Sequence, residues 1–200
     1  MEFDLNGEHA RYSYRLLAGL VTPRPIAWVT TIDEEGRVNA APFSFFNVFG
    51  TRPPMLAFAP GNKTPEIPKD TARNIRRTGE FVVNLVDEAC AEAMNLTAKE
   101  LDHGESEVEL AGLHTEPSRS VAPPRIAESP VSLECREWST LEIGQNRLVI
   151  GLIDRIHARE GVVDPESLLV DREVFRPIGR MEVPAGYCRT GDHFVMPRPE

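Results

Sequence analysis

Proline and glycine punctuation constrains this chain most: 17 prolines and 14 glycines cut its 200 residues into short pieces. A helical bundle needs long uninterrupted windows, whereas many short strands tolerate this spacing. The chain therefore reads as mainly β with a few short helices. Ile26-Ala27-Trp28-Val29-Thr30-Thr31-Ile32 is rich in β-branched residues and ends on the turn Asp33-Glu34-Glu35-Gly36; Arg37-Val38-Asn39-Ala40 returns to make a hairpin. Phe43-Ser44-Phe45-Phe46-Asn47-Val48-Phe49 and Met55-Leu56-Ala57-Phe58-Ala59 read as strands on either side of a break at Thr51-Arg52-Pro53-Pro54.

Residues 70–77 carry helix punctuation, with Asp70 or Thr71 as cap and Gly79 just past the end. Glu80-Phe81-Val82-Val83-Asn84-Leu85-Val86 is a strand, and residues 88–95 a helix. Residues 101–130 are polar and proline-bearing, without a strong period, and read as a long excursion. Residues 131–143 and 147–158 are β-rich runs joined by Gly144-Gln145-Asn146, a hairpin. Val174-Phe175-Arg176-Pro177-Ile178-Gly179-Arg180 holds an internal proline and residues 186–196 alternate poorly, which places both at an edge or over the outside of a barrel. No repeat or linker divides the chain, so one domain over residues 1–200 is the economical count.

Charge excludes some partners. With 22 basic against 31 acidic residues the formal charge is −9, which disfavours a phosphate backbone and hence nucleic acid. No run approaches the roughly 20 apolar residues that span a bilayer, and Met1-Glu2-Phe3-Asp4-Leu5 has neither the basic start nor the apolar run of a signal peptide, so a cytoplasmic protein without membrane attachment is expected. Cys90, Cys135 and Cys188 are odd in number and far apart, so they form neither a disulfide framework nor a CxxC motif and are expected as reduced thiols. His9, His103, His114, His157 and His193 show no metal spacing, Asp102-His103 is too common a doublet to signal a triad, and no metal site is expected. Neither GxSxG nor a GxGxxG after a strand occurs.

Two segments could carry chemistry. Pro60-Gly61-Asn62-Lys63-Thr64-Pro65-Glu66-Ile67-Pro68-Lys69-Asp70-Thr71 runs straight into a helix, whose free N–H groups favour an anion, with the Lys69 charge and the Thr71 hydroxyl beside them. It is either a phosphate cradle or a plain capped surface helix. Asn39-Ala40-Ala41-Pro42-Phe43-Ser44-Phe45-Phe46-Asn47 mixes small, polar and aromatic residues, suiting a planar heteroaromatic ligand or else a core strand with a turn. Trp28 has the same ambiguity.

In order, these pieces resemble the flavin reductase-like family, whose fold is the antiparallel FMN-binding split β-barrel and which includes flavoredoxins and the reductase components of two-component flavin monooxygenases. The resemblance rests on Arg24-Pro25-Ile26-Ala27-Trp28-Val29-Thr30-Thr31, the 39–47 segment, Lys69-Asp70-Thr71 with Asn74-Ile75, Gly79-Glu80-Phe81-Val82-Val83-Asn84, Ile150-Gly151-Leu152-Ile153 with His157, Arg176-Pro177-Ile178-Gly179-Arg180, Tyr187, Phe194 and Arg198-Pro199. It implies a homodimer with FMN near the subunit interface. Trp28, Val29, Thr30 and Thr31, with Asn39, Ala41, Pro42, Ser44, Phe45 and Phe46, would line the flavin. Lys69 and Thr71, with Asp70 and Asn74 in the same helix, would hold its phosphate end, and His157 is a candidate for approaching the flavin or a nicotinamide. The activity implied is NAD(P)H-dependent reduction of FMN, with a partner monooxygenase receiving the reduced flavin; the alternative is a flavoredoxin-like FMN electron carrier that does not itself use NAD(P)H. Residues 101–130 would set what is particular to this chain.

Overall fold

Seven strands join into one antiparallel sheet in the computed structural model, which describes residues 1–64, 66–101 and 105–199. They are β1 (Ala27–Ile32), β2 (Val38–Phe43), β3 (Phe46–Thr51), β4 (Pro54–Phe58), β5 (Glu80–Leu85) and, after the two-residue strands β6 (Thr115–Glu116) and β7 (Arg125–Ile126), the long pair β8 (Val131–Ile143) and β9 (Asn146–Ala158). Their order is β2-β1-β5-β8-β9-β4-β3. The edge strands β2 and β3 are separated by only Ser44 and Phe45, so the sheet has to curl until its two edges meet at that bend. Ala59 closes the corner by donating to the Phe45 carbonyl at 2.9 Å. Among the described residues β2 and β3 do not pair, and the barrel stays open along that seam.

Period-two alternation sorts the side chains. Ala27, Val29, Phe43, Phe58, Phe81, Val83, Leu133 and Val149 point inward to one core, where Phe58 sits 5.4 Å from Phe43 and 5.5 Å from Phe81 between ring centres. Gly151 on β9 is small because the Phe81 ring occupies the place its side chain would take. The outer face is covered too: Trp28, Ala40 and Val86 pack with Cys90, Met94, Val108 and Ile126.

Among the described residues four α-helices accompany the sheet, α1 (Ser13–Leu20), α2 (Asp70–Thr78), α3 (Ala91–Leu96) and α4 (Glu107–Leu110), with a 3-10 turn at Ala10–Tyr12 leading into α1. Gly79 ends α2 in the left-handed conformation, φ 69°, its N–H returning to Ile75 O at 2.7 Å. None of the described helices is long and apolar enough to cross a membrane.

The structure corrects several expectations. The 43–49 run is two strands, because the chain must leave one sheet edge and enter the other at Ser44-Phe45. The proline-rich break at 51–54 is itself the tight connection of the β3–β4 hairpin. Residues 101–130 hold α4, β6 and β7 rather than only loop, and of the last two strand candidates just β10 (Ile178–Arg180) and β11 (Tyr187–Arg189) form, as a separate pair. Helix α1 escaped notice because no side chain caps its start at Tyr12. Asp102-His103 and Pro65 lie outside the described residues.

Candidate functional site

The first turn of α2 supplies the framework of the site. Lys69 stands at the helix N-cap in extended conformation and caps with no side chain, so the first-turn N–H groups face outward with the positive end of the helix. Strand β2 runs beside it, and the two enclose a recess of about 100 Å³ lined by Asn39, Ala41, Pro42, Lys63, Lys69 and Thr71, together with Asp70, Glu107 and residues 97–101. Asn39 donates from Nδ2 to Thr71 Oγ1 at 3.0 Å. The Thr71 hydroxyl therefore keeps its own proton to give elsewhere. Lys69 Nζ lies 5.8 Å from the Phe43 ring centre. Asp70 is held by Lys63 at 2.7 Å and by Arg73 at 2.5 Å, whereas Lys69, like Lys99 across the recess, makes no ion pair among the described residues.

Glu107, from α4, is a residue the sequence reading passed over. Its Oε2 accepts the Ala40 N–H at 3.3 Å, and burial pushes its carboxyl above the usual range, with Asp70 adding to the rise and Lys63 opposing it. With Asp70 and Glu100, Glu107 sets three carboxyls against Lys63, Lys69 and Lys99, so the recess is of mixed charge.

The rim is set by a second overlooked residue. Arg24 is buried, and its guanidinium donates to the carbonyls of Ala18, Val21 (2.7 Å) and Met181 (2.9 Å) and to Ser44 Oγ (3.3 Å). It also lies 5.7 Å from the Phe45 ring centre, and Tyr14 meets that ring edge-on. One cation thus clamps α1, the stretch after β10 and the Ser44-Phe45 bend. Its sequence signal is its place between Pro23 and Pro25, at the head of the 24–31 stretch that carries the family resemblance, which gives its side chain no role.

The structure brings Asn39, Ala41, Pro42, Lys69, Asp70 and Thr71 to this recess, with Ser44 and the half-exposed Phe45 on the bend that follows β2. Trp28, Val29, Thr30 and Thr31 are inaccessible: Trp28 Nε1 donates to Thr97 Oγ1 at 2.9 Å, Thr30 Oγ1 to Pro124 O at 2.6 Å, and Thr31 Oγ1 accepts from Asn74 Nδ2 at 3.1 Å. Asn74 and Phe46 are likewise buried. His157 stands apart. Pro42, Trp28, Asn84, Ser132 and His157 form one row across β2, β1, β5, β8 and β9, so His157 is four strands, about 19 Å along the sheet, from the recess. The donor set at α2 fits the phosphate end of a flavin mononucleotide: a free lysine, a hydroxyl with its proton available and unpaired helix N–H groups.

Comparison with known proteins agrees with this architecture. Residues 19–179 match the family model described as flavin reductase like domain. An uncharacterised protein of Deinococcus radiodurans is 41% identical over 201 residues, covering 98% of this chain and 88% of its own. The crystal structure of Pseudomonas fluorescens 2-nitrobenzoate 2-nitroreductase NbaA is similar at a TM-score of 0.90 and 37% identity, over 100% of this chain and 96% of that one. That of nitrilotriacetate monooxygenase component B from Bacillus cereus is similar at a TM-score of 0.92 and 32% identity, over 98% of each.

Proposed function

The chain belongs to the flavin reductase-like domain family, and on that premise we propose that it binds FMN, phosphate inward at the start of α2, and works as an NAD(P)H-dependent flavin reductase. The observation that carries this reading is the recess itself, where Lys69, the Thr71 hydroxyl and the α2 N–H groups converge on a space of phosphate size. When bound, flavin supplies a hydride acceptor at N5, so the protein has to bind, orient and shield it. Lys69 and Thr71 would hold the phosphate, with Asn39 fixing the threonine hydroxyl. Ala41, Pro42, Ser44 and Phe45 would rim the ring, and Arg24 holds their bend in one shape. The buried Trp28, Val29, Thr30, Thr31, Phe46 and Asn74 act by fixing β1, β3 and α2 in place.

A homodimer belongs to the same reading, supported by exposed apolar side chains on the edge strand β3 (Val48 and Phe49) and along β8 (Trp138 and Ile143). The similarity to a nitrilotriacetate monooxygenase component supports a partner oxygenase as recipient of reduced flavin. The similarity to a 2-nitrobenzoate 2-nitroreductase favours a second reading, in which a small molecule bound to this protein takes the hydride directly.

An anaerobic absorption spectrum of the FMN-loaded protein, before and after NADH and then NADPH, tests the activity. Bleaching by either nucleotide supports the reductase reading. Bleaching by dithionite alone favours the electron carrier, and failure to bind flavin refutes both. The phosphate pose has its own check: Lys69→Met should weaken FMN about tenfold, roughly 1.4 kcal/mol, while leaving riboflavin, which lacks the phosphate, nearly unchanged.

A further inference from the structure

Glu134 on β8 is fully buried, and both its oxygens are saturated. Oε1 accepts the Arg119 N–H at 2.8 Å and His157 Nε2 at 2.5 Å; Oε2 accepts the Ser120 N–H at 2.6 Å and the Ser120 hydroxyl. Burial alone would keep this carboxyl protonated, but the Ser120 hydroxyl, the two backbone amides and His157 outweigh it and hold its pKa down to about 2. An ionised carboxylate only accepts, so Nε2 of His157 carries the proton and Nδ1 is the ring nitrogen Glu134 leaves free.

His157 lines a cavity of about 570 Å³ between the end of β9 and residues 116–132, with Arg125, Arg159, Ser129, Ser132 and Ile156 among its walls. Arg125 pairs with Glu116 at 2.8 Å and Arg159 with Asp87 at 2.9 Å. The Arg125 Nε–H is buried and has no acceptor among the described residues. Each guanidinium already holds a carboxylate, Glu116 itself lining the cavity, but keeps N–H donors beyond that pair; with a ring nitrogen of fixed tautomer and one apolar wall, the cavity is equipped for an anion that also carries a hydrogen-bond donor. Nothing about the α2 recess requires this arrangement, which lies four strands away.

We propose that this cavity is a second ligand site, for a small phosphate- or carboxylate-bearing molecule with an amide or hydroxyl donor, and that Glu134 is a positioning residue fixing His157 so that Nδ1 receives that donor. Arg125 and Arg159 hold the anionic group, and Ile156 supports an apolar portion.

Long-range proton–nitrogen NMR of the histidine side chains tests the proposal on the FMN-loaded full chain, with His157 assigned by His157→Gln. Two probes separate the sources of the anion: nicotinamide mononucleotide, which pairs a phosphate with an amide, and malate, which pairs carboxylates with a hydroxyl. Wild-type His157 should show the Nε2–H tautomer, and at least one probe should shift its signals saturably. Glu134→Gln should mix the tautomers and weaken that probe at least fivefold; if it does not fold, Ser120→Ala, which removes one donor from the carboxylate, should move both readouts the same way by less. A dominant Nδ1–H tautomer, or His157 signals that neither probe moves, would overturn the assignment. Because the readout is on His157, repeating it without FMN keeps its failure separate from failure of the flavin reading.

Discussion

Glu134→Gln removes one buried charge at nearly constant size, and its cost to stability should depend on pH in a calculable way. The folded pKa of about 2 lies below the ordinary 4.5. A group depressed in the folded state stabilises it above the unfolded pKa and loses that contribution as pH falls toward the folded one. With about 1.4 kcal/mol per pKa unit, the ionised carboxylate contributes about 3 kcal/mol at pH 7 and about 2 kcal/mol at pH 3.5. Urea unfolding of both proteins at these pH values measures the difference, and carboxylates common to the two cancel. The stability gap between wild type and variant should narrow by about 1 kcal/mol on acidification. A gap that stays constant or widens would show that the Ser120, Arg119 and His157 hydrogen bonds do not hold the carboxylate ionised.

Glu107, raised by burial, repels an anion in the recess only while ionised; wild-type FMN affinity should therefore rise as pH falls through its titration, and Glu107→Gln should bind FMN about threefold to tenfold more tightly at pH 7.5 and lose that dependence, as read by flavin fluorescence. Gly151→Val forces the Phe81 ring out of its place in the core and should destabilise by about 1–3 kcal/mol in urea unfolding at unchanged m-value. Burial pushes the Cys90 thiol up to about 12 and raises that of Cys135 as well, so iodoacetamide at pH 8 should label Cys188 in the native protein and all three cysteines after unfolding, counted by intact mass.

What the sequence discloses follows the locality of the interactions. The inner face of the sheet was legible because alternation along each strand selects it: Val29, Phe81 and Leu133 are apolar and point to one core. The start of α2 was legible because Lys69, Asp70 and Thr71 are neighbours in the chain and Gly79 marks the helix end, although the N-cap proves to be Lys69, with no side-chain cap, rather than Asp70 or Thr71, which lie within the first turn. Arg24 and Glu107 were not, since each acts on groups that the fold alone delivers, the Ser44 bend and the Ala40 amide.

The outer face shows the limit most clearly. Thr30, Asn84, Ser132 and Glu134 look like the solvent side of half-buried strands, and residues 101–130 look like loop, yet each set is the other's partner. Thr30 donates to Pro124 O, Asn84 Oδ1 accepts from Ile126 N at 3.0 Å and from Ser132 Oγ at 2.9 Å, and Glu134 takes the amides of Arg119 and Ser120. Most of these partners are backbone groups, which every residue carries, so no residue type in the excursion announces them. Polar strand residues that would be costly to bury alone become the anchor of a segment with too little apolar surface to fold on its own. That exchange gives His157 its fixed neighbour and places a cavity where alternation alone predicts solvent.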